Sequence, residues 1–188
     1  MVRRWREQSS EVLYQSRIFS IRRAEFVPQT SPGGVSGQTT QEVYLVDSPN
    51  WVNIIGITKQ DTVLFVRQFR FGARRVTLEI PGGMIDPEET PEQAAIRELR
   101  EETGYESTNW IPLGSVDPNP ALIGNRCYSF LAKDCYRSHT PQPDPMEELS
   151  LEEHKLVDVP KLIASGEVSH ALVAVAFMKL DLHQRGLT

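Results

Sequence analysis

The chain predicts an α/β fold: a mixed β-sheet sandwiched between helices. Three observations carry this. Short apolar runs rich in β-branched and aromatic residues outnumber helical patterns. Two helices, 91–103 and 168–183, are split across the chain instead of clustered. A length of 188 residues suits one domain able to bury a core of ordinary size.

Taken in order, 11–28 and 41–47 read as strands flanking a loop. That loop, 28–40, is rich in Gly, Ser, Thr and Pro, as a long hairpin tip is. Trp51 to Thr58 and Thr62 to Phe71 form a hairpin across Lys59-Gln60-Asp61. Leu78-Glu79-Ile80 is a short strand leading into Pro81-Gly82-Gly83. Further strands are expected at 106–116, 126–132 and 152–159, with a short helical turn at 160–165. In the last helix Leu172, Val175, Phe177 and Leu180 are expected to face the core.

Composition excludes several function classes. Acidic residues outnumber basic ones by 25 to 20, which argues against a general nucleic-acid binder. Cys127 and Cys135 are too few for a disulfide framework or a structural zinc site and read as reduced thiols. The start, MVRRWREQSS, is basic but lacks the apolar stretch of a secretory signal. The longest apolar run, Ala171 to Met178, is too short to span a bilayer. The expectation is a soluble cytoplasmic protein without a membrane partner.

The chemistry concentrates between Gly83 and Tyr105, which read GMIDPEETPEQAAIRELREETGY. Thr90 is a good N-cap, Pro91 suits the first helical position, and Gln93 completes a capping box. Gly104 sits where a left-handed C-terminal cap belongs. On the helix between them Glu98, Glu101 and Glu102 fall at i, i+3 and i+4, on one face. Three carboxylates so close repel, and Glu101 and Glu102 sit at the wrong end of the macrodipole. A hard divalent cation with oxygen ligands would compensate. It would also bridge phosphate oxygens and activate water. An acidic run on a helix is otherwise a solvated face; here it belongs to a fixed pattern with two glycines, a distant Glu and an Arg. Glu89, at the loop–helix junction, is the expected ion-pair partner of Arg97.

The spacing G-x5-E-x7-R-E-L-x-E-E-x-G-Y resembles the signature of the Nudix hydrolases position by position, with Tyr105 where an aliphatic residue is usual. The resemblance implies the Nudix fold and a Mg²⁺- or Mn²⁺-dependent pyrophosphohydrolase. Glu98 and Glu102 become the principal metal ligands, Glu101 assists, the Gly82 carbonyl is an extra ligand, and Glu89 and Arg97 hold the frame. Residues 1–47 become an extra N-terminal antiparallel β segment ahead of a hydrolase domain at 48–188; in the branch with such a segment it often builds a homodimer.

Features outside the motif narrow the branch. Val66 to Phe71 with Leu78 to Gly83, Asp117 to Ala121, and Gly166 to Leu172 resemble the ADP-ribose and nucleoside-diphosphate-sugar hydrolases. Pro120 falls near a proline that marks ADP-ribose hydrolases. Arg70, Trp51, Glu79 and Pro120 are therefore the expected substrate contacts. Arg70 is equally an ordinary charged strand end, Trp51 a core or dimer residue, and His170 structural. The general base is expected on the loop His139 to Glu153: Glu147 first, Glu148 second, Asp144 also eligible, with Pro145 where some relatives carry another acid. The alternatives are a Nudix hydrolase of nucleoside triphosphates, dinucleoside polyphosphates or coenzyme A, and a non-enzymatic nucleotide-sugar sensor.

Overall fold

The computed structural model describes residues 2–29, 39–143 and 147–187. The expected hairpin tip at 30–38, and Asp144 and Pro145, lie outside the described residues. The chain divides into two compact units: residues to Pro49 with Asp117–Asn125, and Asn50–Val116 with Arg126 to the C-terminus.

The first unit is a three-stranded antiparallel sheet of β1 (Trp5–Gln15), β2 (Ser20–Pro28) and β3 (Gln41–Asp47), in that order. The single strand expected over 11–28 is in fact a hairpin. Ser16 makes the turn: its N–H and its hydroxyl both donate to the Phe19 carbonyl, at 2.9 and 2.8 Å. Polar residues on both faces of β1 hide this break from a periodicity argument, and ten of its eleven residues are exposed. Segment 117–125 joins this unit through a parallel bridge between Val46 and Ile123.

The second unit holds the mixed sheet. Its strands are β4 (Trp51–Thr58), β5 (Thr62–Arg70), β6 (Arg75–Glu79), β7 (Tyr105–Glu106), β8 (Asn109–Val116), β9 (Cys127–Arg137) and β10 (Leu149–Lys155). The order is β10-β5-β4-β9-β7, with β6 also on β5 and β8 also on β9. β4 and β9 run parallel; the other pairs are antiparallel. Alternating side chains on the strands feed two cores. Val52, Ile54 and Leu64 pack with Ala94, Ala95 and Leu99 of α1 (Pro91–Thr103). Ile55, Val63 and Phe65 face the other way, onto Val159 of α2 (Val159–Ala164) and Val173, Ala176, Phe177 and Leu180 of α3 (Ala171–Gln184). The sheet is therefore sandwiched between helices, as expected.

Several boundaries move. The strand expected at 106–116 breaks into β7 and β8 around Ser107, whose hydroxyl caps the Asn109 N–H at 3.0 Å. β9 runs on to Arg137, with Asp134 at a φ of 54° where the register slips. β10 begins at Leu149, before the expected 152, and the chain turns into a 3₁₀ segment at Leu156–Asp158. In α3 the core face is Val173, Ala176, Phe177 and Leu180, while Leu172 and Val175 are only half-buried. The run ALVAVAF is apolar on every side, so only packing selects its inner face. Cys127 and Cys135 are free and buried. Among the described residues no helix is long and apolar enough to cross a membrane.

Candidate active site

α1 starts and stops where its caps dictate. Thr90 accepts from the Gln93 N–H at 3.3 Å while the Gln93 side chain accepts from the Thr90 N–H at 2.8 Å. Gly104 takes a φ of 74° and donates to the Arg100 carbonyl. These two ends set the rotation of the helix, and so the direction of its carboxylates.

Arg97 organises the exposed side of that face. Its Nε and Nη2 donate to the two oxygens of Glu89 at 2.8 and 2.9 Å. Nη2 also reaches the Met84 carbonyl at 3.1 Å, which ties the loop to the helix. Nη1 reaches Glu98 at 2.8 Å and Glu101 at 3.2 Å. The two-toothed pair with Arg97 holds the Glu89 carboxyl below its usual range.

Glu98 and Glu102 behave differently. Glu102 is 5 % exposed, and burial together with the neighbouring Glu98 charge pushes its carboxyl well above the usual range. For Glu98 burial outweighs the attraction of Arg97, and the carboxyl is pushed up to about 7. The Gly82 N–H donates to Glu102 Oε2 at 3.1 Å. Pro81 and Gly83 offer their carbonyls to Ile54 and Val52 of β4 at 2.8 and 2.9 Å. Gly83 lies flat against Glu98: an added Cβ would collide with the Glu98 carboxylate.

The loop acid Glu147 is half-buried, and its charge acts on Glu98, Glu102 and Arg70. Glu148 is exposed. Arg70 is held by the buried Glu79 through two bonds, Nε to Oε1 at 3.0 Å and Nη2 to Oε2 at 2.8 Å. Thr77 adds a third bond to Glu79 at 2.6 Å. Both Glu79 oxygens are thus engaged, so this residue holds Arg70 and leaves the guanidinium's remaining edge to face outward. The Glu79–Arg70 pairing across β5 and β6 is invisible in sequence; the register sets Arg75 opposite Arg70 and Val66 opposite Glu79, so the two side chains meet diagonally along the hairpin.

Trp51 opens β4, bridged to Met84. Its indole nitrogen is buried beside the Cys127 thiol with no oxygen partner among the described residues. Pro120 is exposed in the turn after Asn119, within the first unit, where Leu122 N–H donates to the Asn119 carbonyl at 3.0 Å. His170 caps α3, its Nδ1 accepting from the Leu172 N–H at 3.2 Å.

The structure therefore brings Glu98, Glu101, Glu102, Arg97, Glu89 and Gly82 together, with Glu147 and Arg70 within electrostatic reach. Among the described residues no group of three or more His, Cys, Asp or Glu side chains already converges as a metal site. The donor set still fits a hard divalent cation: buried Glu102 and half-buried Glu98 repel one another, and carboxylate oxygens are the hard ligands such an ion prefers. Sequence reasoning missed the close approach of Gly83 to Glu98, although the Gly82-Gly83 pair before the motif was its signal.

A carboxylate-bearing helix laid on a mixed sheet between helices defines the class, and comparison with known proteins agrees. The NUDIX domain profile matches residues 49–174, and the chain belongs to the Nudix family as a Nudix hydrolase. Hydrolases of this family generally use divalent metal ions. The chain is 31% identical over 141 residues to the ADP-ribose pyrophosphatase of Bacillus subtilis (strain 168), covering 74% of this chain and 76% of that one. It is 28% identical over 166 residues to the ADP-ribose pyrophosphatase of Mycobacterium tuberculosis, covering 87% and 77%. A crystal structure of an ADP compounds hydrolase superposes with a TM-score of 0.82 at 21% identity, covering 100% of this chain and 99% of that one, which places the two in one fold.

Proposed function

We propose that this protein is a Mg²⁺- or Mn²⁺-dependent pyrophosphohydrolase of ADP-ribose or a related nucleoside diphosphate sugar. The products would be a nucleoside monophosphate and a sugar phosphate. The observation that carries this reading is the pair of carboxylates on one face of α1, buried Glu102 and half-buried Glu98, with the charge of Glu147 acting on both. Similarity to two proteins named ADP-ribose pyrophosphatases supports the substrate class.

Each side chain then has a task. Glu98 and Glu102, assisted by Glu101 and the Gly82 carbonyl, would hold the divalent ion. Such an ion neutralises charge on a diphosphate and acidifies bound water. Arg70, kept in place by Glu79, offers a planar fork to phosphate oxygen. Glu147 accepts the proton of the attacking water on a carboxylate oxygen. Glu89 and Arg97 keep the loop and the helix in register. Residues 1–47 serve as a dimerisation segment ahead of a hydrolase domain at 48–188, in a cytoplasmic homodimer; sedimentation of a chain lacking the segment tests this, and an unchanged dimer would refute it.

Phosphate release from ADP-ribose, coupled to a phosphatase, is the direct test, with Mg²⁺ and then with EDTA. UDP-glucose, GDP-mannose and dGTP run alongside. Metal-dependent cleavage of the diphosphate sugars with dGTP spared is the expected result. Preferred cleavage of dGTP would move the protein to a triphosphate-specific branch, and a folded protein that turns over nothing would point to a sensor. In the same assay Glu147→Gln should lower kcat about a hundredfold or more with KM nearly constant. Glu148→Gln should leave kcat close to the parent; the reverse pattern would shift the base by one residue.

A further inference from the structure

One row across the mixed sheet breaks the pattern of the core. On the α3 side, Ile55, Leu131 and Ile111 stand opposite one another on β4, β9 and β8 and pack as a core requires. The next row on the same face reads Asn53, Ser129 and Gly114. Gly82 extends it beyond β4, because a Cβ there would stand 3.0 Å from Asn53 Oδ1. From Gly82 to Gly114 the row therefore carries no apolar side chain. Gly82 and Asn53 are half-buried, Gly114 is exposed, and Ser129 is the buried floor between them.

The donors of this row lack acceptors. Asn53 Nδ2 is buried with no hydrogen-bond partner among the described residues, and so is Trp51 Nε1, two residues earlier on the same face. Lys179 of α3 reaches over the far end. Its Nζ donates to the Leu113 carbonyl at 3.2 Å and lies 3.2 Å from where a Gly114 Cβ would stand. An ammonium has three donors, and this bond uses one. Folding alone does not select such a row: an apolar side chain at 53 would bury surface and leave no donor unpaired. The near end adjoins the carboxylate face of α1, since the Gly82 N–H donates to Glu102 at 3.1 Å. Neighbouring strands lie about 4.8 Å apart, so three spacings put Gly114 about 14 Å from Gly82. That is room for a sugar joined to a phosphate.

We propose that this row is the bed for the sugar that the diphosphate joins to the nucleoside: Asn53 meets a hydroxyl next to the diphosphate, and Lys179 meets an oxygen on the far side of the ring. This rests on the reading of the protein as a diphosphate-sugar hydrolase, and it names the side chains that select the sugar. A hydroxyl both donates and accepts, so it satisfies the Asn53 amide whichever end faces it. The last torsion of asparagine is broad and permits either.

Titration calorimetry with Mg²⁺ tests it on two ligands: ADP-ribose with a methylene group in place of the bridging oxygen, and the matching methylene analogue of ADP, which has no second sugar. Asn53→Leu and Lys179→Met should each weaken the ADP-ribose analogue about tenfold and change the ADP analogue by less than about twofold. Asn53→Ala carries the same test if leucine does not fit beside Gly82. A readout without metal or ligand accompanies it: in EDTA, Asn53→Leu should melt about 3 °C above the parent, because it removes an unpaired buried donor. Unchanged affinity for the ADP-ribose analogue in the Asn53 and Lys179 variants would overturn the proposal, whatever their melting temperatures. Equal losses for both analogues would overturn it too, since the row would then serve the nucleoside or the diphosphate. A parent that binds both analogues equally and cleaves no diphosphate sugar would instead show that the substrate reading has failed, and the sugar bed with it.

Discussion

Glu102→Gln is expected to lower turnover about a thousandfold while making the metal-free protein more stable at mildly alkaline pH. Glu98→Gln should behave the same way. Both carboxyls are held above their ordinary range, Glu102 by burial and by the charge of Glu98, and Glu98 by burial. A carboxyl raised on folding binds more protons in the folded chain than in the unfolded one. Its neutral form costs nothing below the ordinary carboxylate range, and stability is lost as pH climbs through the folded value, about 7 for Glu98. Glutamine removes the charge and so flattens that decline. For Glu98, the rise from the ordinary carboxylate range to about 7 sets a ceiling on the gain of about 3 kcal/mol. Thermal melts in EDTA at acidic and mildly alkaline pH measure it. Added Mg²⁺ should stabilise the parent and not the variants, since a ligand stabilises only a fold that binds it. A glutamine variant that melts earlier in alkaline EDTA, or that keeps its activity, would remove these carboxylates from the metal site.

The neighbouring glycines should fail in opposite ways. A Cβ at Gly82 would fall on the Val52 carbonyl oxygen and close to the Asn53 Cα, which are backbone atoms of a buried strand. That strand has nowhere to move, so Gly82→Ala should cost about 3 kcal/mol and lower the melting temperature. A Cβ at Gly83 would fall on the Glu98 carboxylate, the mobile end of a side chain. Gly83→Ala should therefore fold, turn Glu98 aside, and lose activity about a hundredfold. Melting curves and kcat measured on both variants separate the two effects. Equal loss of stability in both would mean that Glu98 is less free to swing than its position implies.

The legible part of the site was its local part. Thr90, Pro91, Gln93 and Gly104 specify α1 through hydrogen bonds between residues no more than four apart, so the sequence alone determined both ends of the helix. The same spacing placed Glu98, Glu101 and Glu102 on one face and paired Glu89 with Arg97 across the junction. The family and its chemistry followed from that short run.

Contacts between distant segments were decided only in three dimensions. The Ser16 turn divides a strand whose polar residues give no period. The inner face of α3 was set by Phe65 and its neighbours, because a helix apolar all round does not choose a face by pattern. Arg70 met Glu79 diagonally across β5 and β6, and β10 brought Glu153 to Tyr105, 48 residues earlier. A cap is read from neighbours along the chain, since its donor and acceptor lie within one turn. A strand's partner is chosen by which faces can be buried together, and that depends on the whole sheet.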